Sequence, residues 1–214
     1  MSESVKRAYQ SVLRDEQAVA TRHRALVAAR DQFLARGYAA SSMSSIAKAA
    51  GVSRETLYKS FGTKSVLMKA VYDVVVAGDE EDVPFADRPE TRRMLADPDP
   101  RRAIATFARA SAELVERLGP LMALILAGAR SGDEDLRMLA ETSRAERLAG
   151  VEGFIGSLVG KGPEFEPREA IDTVWMLTAP EVWQMLVDDR GWTLEAYRRW
   201  LERSIVAAVL EPRG

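Results

Sequence analysis

Apolar residues recur every three to four positions along most of this 214-residue chain, which is the spacing of amphipathic helices. Near the start, Val19, Leu26 and Phe33 fall on one predicted helical line, with Val27 and Leu34 beside it. No segment alternates apolar and polar residues long enough to indicate a strand, and no hairpin dipeptide separates two such segments. The pattern therefore predicts an all-α fold of about nine or ten helices.

Small polar residues and glycines divide the first third of the chain into short helices. Ser42, Ser53 and Thr63 are placed to cap helix starts, and Gly51 and Gly62 follow apolar-periodic segments where helices end. The predicted helices span about residues 18–36, 43–50, 54–61 and 64–77. Residues 1–15 are polar and charged and are expected to be a flexible or helical extension of the first helix.

The remainder of the chain, residues 78–214, is predicted to be a second helical bundle. It begins with an acidic, proline-bearing connection at 78–88. Predicted helices follow at about 90–96, 101–118, 120–129, 133–159, 168–187 and 194–210. Gly119-Pro120 is expected to separate two helices, whereas Pro180 is expected to lie inside a helix and to free the carbonyl of Met176. Helix 168–187 is apolar on nearly every side, so we expect core on one side and a partner subunit on the other.

Composition excludes several classes of site. The chain has no cysteine and a single histidine, His23, so disulfides, thiolate sites, multi-histidine metal sites and most catalytic triads are excluded. We expect no catalytic residue, metal or cofactor, and we expect His23 at the surface. The longest apolar run, residues 121–127, is far shorter than a membrane span, and the charged N-terminus has no signal-peptide pattern. A cytoplasmic protein without membrane association is expected.

Charge is distributed unevenly along the chain. Residues 1–75 carry 12 Lys and Arg against 6 Asp and Glu, whereas residues 76–214 carry 18 against 26. The N-terminal third therefore has a net charge of +6 and the rest −8, although the whole chain carries only −2. A basic segment attached to an acidic body indicates a module that binds a polyanion.

The most informative motif is residues 42–64, SMSSIAKAAGVSRETLYKSFGTK. Two short predicted helices are joined by Ala-Gly-Val-Ser, in which Gly51 can adopt the positive φ of a tight turn. Apolar residues on both helices supply a small core, namely Ile46, Ala47, Ala50, Val52 and Leu57. This pattern is typical of a helix-turn-helix, whose second helix enters the DNA major groove. The remaining face carries groups that hydrogen-bond to base edges and phosphates, namely Arg54, Glu55, Thr56, Tyr58 and Lys59.

Flanking residues extend this motif from about Arg22 to Tyr72, through Gly37-Tyr38, Phe61 and Lys64. In this form the segment resembles the DNA-binding domain of the tetracycline-repressor (TetR) family. The resemblance implies that Thr56 and Tyr58 touch DNA and that Lys64 contacts a phosphate. It also implies that Ser42 bonds the DNA backbone and that Ser44 occupies a base-reading position. The predicted DNA-binding set is Ser42, Ser44, Lys48, Arg54, Thr56, Tyr58, Lys59 and Lys64.

The resemblance also implies what the C-terminal body does. It implies a homodimer, formed through the last two helices, that binds a palindromic operator in double-stranded DNA and is released by a small-molecule effector. Methionine and aromatic residues near the predicted kink suggest a partly apolar pocket for that effector. The predicted ligand-binding set is Met94, Phe107, Met122, Trp175, Met176 and Trp183. Alternatives are a transcriptional activator on the same scaffold and, from another class, a helical small-molecule carrier or enzyme.

Overall fold

A computed structural model describes residues 3–78, 87–162 and 164–211, with side chains from residue 17 onward. Within these ranges the chain forms ten α-helices and no strand, which confirms the all-α prediction. The chain divides into two compact units, Met1–Glu80 and Glu81–Gly214. Most of the predicted connection at 78–88 lies outside the described residues. Within the part that is described, no helix combines the length and the apolar character needed to cross a bilayer.

The first unit is built from four helices whose ends follow the capping residues of the sequence. The side-chain oxygens of Ser42, Ser53 and Thr63 each accept a backbone N–H bond from the first turn of the helix that follows. The four helices are α1 (Glu3–Arg36), α2 (Met43–Ala50), α3 (Arg54–Phe61) and α4 (Lys64–Ala77). Residues 3–15, for which the sequence left a flexible or a helical state open, are part of α1; residues 1–2 lie outside the described range.

The apolar face of α1 differs from the predicted one. Leu26 and Phe33 are buried, as expected, but Val19, Val27 and Leu34 are exposed by 65%, 38% and 43%. Among the α1 side chains that are described, from residue 17 onward, the buried ones begin at Ala25, and their spacing of one to four positions forms a single narrow stripe. The wider apolar face predicted from the sequence is therefore wrong for these three valine and leucine side chains.

The second unit contains the remaining six helices around one apolar core. They are α5 (Pro89–Ala96), α6 (Pro100–Arg130), α7 (Glu134–Leu158), α8 (Pro167–Leu177), α9 (Pro180–Trp183), which continues as a π-helical turn over Gln184–Asp189, and α10 (Leu194–Val209). Ile104 on α6, Phe154 on α7 and Val174 on α8 are completely buried. Tyr197 and Leu201 of α10 complete this core.

Helix α6 runs through Gly119 and Pro120 without interruption, so the predicted break at this dipeptide is wrong. Buried residues lie on both sides of it, at Leu118 and Leu121. A Cβ atom on Gly119 would stand 3.5 Å from the indole nitrogen of Trp183. The missing side chain thus lets Trp183 pack directly against the backbone of α6, and this tertiary packing outweighs the local helix-breaking signal.

The segment predicted as one helix around Pro180 is instead two helices. Ala179 is extended, with φ −66° and ψ 139°, and Pro180 is the first residue of α9. A residue before proline is disfavoured in the helical region, and proline is well suited to the first position of a helix. The Met176 carbonyl is not freed, because it accepts the Ala179 N–H at 3.1 Å.

Three side chains satisfy backbone carbonyls at this junction between α8 and α9. The Thr178 hydroxyl donates to the Val174 carbonyl at 2.8 Å, and the Tyr197 hydroxyl donates to the Leu177 carbonyl at 3.2 Å. The Arg147 guanidinium donates to the Trp175 carbonyl from α7. Burial raises the pKa of the Tyr197 hydroxyl above its ordinary value, so this donor keeps its proton. The junction is therefore hydrogen-bonded within the protein interior.

We expect the stability contribution of Asp97 to disappear in acid. Asp97 ends α5 and binds Arg102 through two bonds of 2.7 Å, and it also accepts the Asp99 N–H at 2.9 Å. The Arg102 bonds, followed by the backbone bond, lower the pKa of Asp97 from 3.8 to about 2. A carboxyl whose pKa is lower in the folded state stabilises that state above about pH 4 and loses the contribution as pH falls towards about 2.

Thermal melts of wild type and Asp97→Asn at several pH values test this expectation. The variant should melt lower than wild type at neutral pH, and the gap should close between about pH 4 and pH 2. Glu152→Gln, which changes an exposed carboxyl on α7, is the matched control and should show no such convergence. A gap that stays constant down to pH 2 would contradict the role given to Asp97.

Candidate nucleic-acid interface

The turn between α2 and α3 is closed by backbone bonds around Gly51. This residue adopts the left-handed conformation, with φ 66°. The Val52 N–H donates to the Ala47 carbonyl at 3.0 Å, and the Gly51 N–H donates to the Lys48 carbonyl at 3.3 Å. Ser53 then starts α3, because its hydroxyl accepts the Thr56 N–H at 3.0 Å. These bonds fix the direction in which α3 leaves α2.

The two short helices share an apolar core. Ile46 and Ala47 on α2 and Leu57 and Phe61 on α3 are each exposed by no more than 4%. Ala50 is buried as well, and Val52, in the turn, is partly buried. The predicted core of the helix-turn-helix is thus confirmed, and packing fixes α3 relative to α2.

Side-chain bonds attach the start of α2 to α1. The Ser42 hydroxyl accepts the Ser45 N–H at 3.1 Å and so caps α2. The Ser45 hydroxyl donates to Gln32 Oε1 at 2.8 Å, and Gln32 Nε2 donates to the Ser45 carbonyl at 2.9 Å. This network fixes the first turn of α2 while Ser44 and Lys48, one helical turn apart, stay exposed on its surface.

Glu55 and Lys59 lie on the outermost line of α3. Each is two residues from the buried Leu57, which places it about 200° around the helix from that residue. Both side chains are exposed. The sequence prediction included Lys59 in the DNA-binding set but left Glu55 out, although the spacing to Leu57 already places the two on the same line.

The flanks of α3 hold side chains that contact one another. On one flank the Arg54 guanidinium lies over the ring of Tyr58, 5.4 Å from its centroid, and Tyr58 is 41% exposed. On the other flank the Thr56 hydroxyl is 2.7 Å from the Ser53 hydroxyl. Thr56 is therefore partly committed to the start of α3, whereas Arg54 and Tyr58 form a cationic and phenolic edge.

Lys64, at the start of α4, is bound to the turn after α1. Its ammonium donates to the Tyr38 carbonyl at 2.9 Å and lies 4.0 Å from the centroid of the Tyr38 ring. The side chain is partly buried. An ammonium has three N–H donors, so this geometry positions Lys64 and leaves it able to donate further bonds.

The predicted DNA-binding residues all lie on α2, on α3 or at the cap and first turn of these helices and α4. Six of them are exposed, namely Ser42, Ser44, Lys48, Arg54, Tyr58 and Lys59, and Thr56 and Lys64 are partly buried. Their contact with DNA remains a prediction. His23 is exposed as expected, and it borders an open groove of about 600 Å³ along α1 and the end of α2.

The predicted ligand-binding residues of the second unit are spread between core and surface. Met94, Phe107, Trp175 and Trp183 belong to the apolar core or pack against it, and Phe107 stacks on Phe154 with 3.9 Å between ring centroids. Met122 is buried beside the Ser143 hydroxyl, whereas Met176 is 51% exposed. The indole nitrogen of Trp175 is buried with no hydrogen-bond partner among the described residues. Ligand binding by this set remains a prediction.

Comparison with known proteins finds a family match within the first unit. Residues 25–71 match the profile of the bacterial regulatory proteins, tetR family. No curated protein sequence matches this chain significantly. Many solved structures resemble the chain, and three transcriptional regulators among them serve as examples.

The first of these, from Rhodococcus sp., is assigned to the TetR family; it is 18% identical and gives a TM-score of 0.68 over 89% of this chain and 99% of its own. NalD of Pseudomonas aeruginosa, the secondary repressor of the MexAB-OprM multidrug efflux pump, is 20% identical, with a TM-score of 0.66 over 92% of this chain and 100% of its own. PfmR of Thermus thermophilus, a TetR-family regulator, is 20% identical, with a TM-score of 0.57 over 89% and 97%. At these identities the structures show a shared fold.

Proposed function

Given that residues 25–71 match the tetR family of bacterial regulatory proteins and that the chain shares the fold of solved TetR-family regulators, we propose that this protein is a dimeric repressor that a small molecule releases from its operator. The observation that carries the proposal is the helix-turn-helix itself. Its two helices are fixed by a buried core and by the turn at Gly51, while the polar side chains of α3 stay exposed. A rigid helix with an exposed polar face is what the DNA major groove accepts.

Charge supports DNA as the ligand of the first unit. Residues 1–75 have a net charge of +6. Lys48 and Arg54 are exposed on α2 and α3, and the Arg22 guanidinium lies 4.8 Å from the centroid of the Phe61 ring at the end of α3. Cations on the same surface as a recognition helix are suited to DNA phosphates, which dominate the affinity of such proteins.

The last helices of the second unit support a dimer. Ile171, Val182 and Leu186 pack against the core and yet are only partly buried. Met176 and Met185 beside them in sequence are exposed by 51% and 52%. A second copy would cover this apolar surface, and a two-fold dimer presents two recognition helices to the two halves of a palindrome.

Among the described residues of the second unit, the indole N–H of Trp175 is a buried polar group available to an effector. The indole N–H of Trp175 would gain a partner if a ligand with an acceptor group bound next to it. The role of NalD as the secondary repressor of a multidrug efflux pump is consistent with a repressor whose effector is partly apolar. Thermal-shift screening of apolar and amphipathic compounds, followed by operator binding with each hit, tests for the effector.

DNA affinity should fall steeply with salt. If a dimer neutralises about 6–8 phosphates, the logarithm of the association constant plotted against that of the salt concentration should have a slope of roughly −5 to −7. Fluorescence anisotropy with labelled duplexes selected from random DNA measures this slope. A flat salt response, or equal affinity for heparin and every duplex, would contradict sequence-specific DNA binding.

Two experiments separate this proposal from its alternatives. A helical carrier or enzyme would bind its small molecule without binding duplex DNA, so the salt titration also tests that class. An activator would bind an operator in the same way as a repressor. Expression from a reporter downstream of the operator, with and without the protein, distinguishes the two regulators.

A further inference from the structure

We infer that Glu55 and Lys59 recognise two G·C base pairs of each operator half-site, with Glu55 accepting a bond from a cytosine amino group and Lys59 donating to a guanine. This inference rests on the proposed function and concerns the chemistry of the same helix. The two residues share the line farthest from the buried Leu57, so they reach deepest into a groove that α3 enters.

Glu55 is an unusual group for a surface that approaches phosphates. Three carboxylates have described side chains in the first unit. Asp31 pairs with Arg30 at 3.2 Å, and Asp73 pairs with Lys69. Glu55 forms no ion pair with any described residue, although Lys59 follows it by one helical turn. An exposed, unpaired carboxylate would repel the DNA backbone and lower affinity unless it accepts a bond in the groove.

The side chains on the two flanks of α3 do not occupy its outermost line, where Glu55 and Lys59 lie. Arg54 lies over Tyr58 on one side of α3, and the Thr56 hydroxyl is bonded at Ser53 on the other. Arg54 and Tyr58 are therefore suited to a phosphate at the edge of the groove. Glu55 and Lys59 are therefore the side chains placed to reach the base edges in the major groove.

Hydrogen-bond chemistry then assigns the bases. An ionised carboxylate only accepts, and in the major groove glutamate pairs with the amino group of cytosine. An ammonium only donates, and lysine pairs with the O6 and N7 atoms of guanine. Four residues of helix span about 6 Å, and base pairs are stacked about 3.4 Å apart. The two G·C pairs should therefore be about two steps apart.

Selection of binding sites from random duplex DNA tests the assignment with four full-length proteins. These are wild type, Glu55→Gln, Lys59→Met and Asp73→Asn. The last is the matched control, because it removes one negative charge from the same unit at a carboxylate on α4. Affinity for non-specific DNA should follow net charge, so it should rise slightly when either carboxylate is neutralised and fall when the lysine is.

In the wild-type site we expect two G·C pairs about two steps apart in each half. Glu55→Gln should lose the preference for cytosine at one of them, which means a roughly 10- to 100-fold loss of discrimination there. Lys59→Met should lose the preference for guanine at the other. Asp73→Asn should keep both preferences. A second measurement avoids variants: 7-deazaguanine, which lacks N7, should weaken wild-type binding several-fold at the Lys59 position only.

The alternative role for Glu55 is to stabilise the first turn of α3, where an acidic side chain interacts favourably with the helix dipole. In that case Glu55→Gln would lower the melting temperature and leave base preference unchanged, which would overturn the assignment. Unaltered preference in Lys59→Met, or an effect of Asp73→Asn on base preference equal to that of Glu55→Gln, would also overturn it. A wild-type protein that selects no sequence would overturn the proposed function and this inference together.

Discussion

Met176→Asp and Met185→Asp should each convert a dimer to monomers and reduce operator affinity by about 100-fold or more. Both methionines are half-exposed in a single chain, so a charge at either position should change the stability of that chain by no more than about 0.5 kcal/mol. In a dimer that covers them, the same charge would be buried without a partner, which costs several kcal/mol. Once the dimer is lost, the two half-sites are bound independently and their combined affinity disappears.

Met138→Asp is the matched control for this experiment. Met138 is 57% exposed on α7, so the substitution makes the same chemical change on another helix of the same unit. Sedimentation velocity and anisotropy with the operator measure assembly and DNA binding on the same samples. The proposed interface would be wrong if Met138→Asp dissociated the dimer as readily, or if both α8 and π-turn variants remained dimeric.

Trp183→Ala should be among the most destabilising single substitutions in the second unit. Trp183 is 6% exposed and has one edge against the α6 backbone at Gly119 and the other against Tyr197, with 5.0 Å between ring centroids. Removing a buried indole costs about 3–5 kcal/mol, which corresponds to a fall in melting temperature of roughly 10 °C or more.

Substitutions at Gly119 provide the control. A methyl group there would be in ordinary contact with Trp183, so Gly119→Ala should be neutral or slightly stabilising through its helix propensity. Gly119→Leu should destabilise the wild-type protein by about 1–3 kcal/mol, because the larger side chain collides with the indole. In Trp183→Ala it should instead recover part of the loss by filling the cavity. Additive effects in the double variant, measured by denaturant unfolding, would show that the two residues do not share one packing site.

Sequence predicted the helix-turn-helix accurately because its signals are local. Ser42, Ser53 and Thr63 cap their helices within three residues, and Gly51 makes its turn within the same short segment. The exposed groups on α3 follow from the 3.6-residue period once Leu57 is placed in the core.

Sequence-based predictions failed or were silent mainly where residues distant in the chain determine the local structure. Gly119-Pro120 looks like a helix end, yet Trp183, far along the chain, packs on that glycine and α6 continues. Pro180 is a different case, because proline favours the first position of a helix over its interior, and this local rule indicates the break that apolar periodicity alone does not show. The bond from Lys64 to the Tyr38 carbonyl spans 26 residues, so no local pattern indicates it.

All four tryptophans, residues 175, 183, 192 and 200, lie in the second unit, so the first unit contains tyrosine but no tryptophan. Three of the four are linked to Tyr197 or to one another by ring contacts of 5.0–6.1 Å. Emission excited at the red edge of tryptophan absorption therefore originates entirely outside the proposed DNA interface. An intensity or wavelength change on adding operator to the intact protein would record the response of the second unit to an event at the first, without any attached dye.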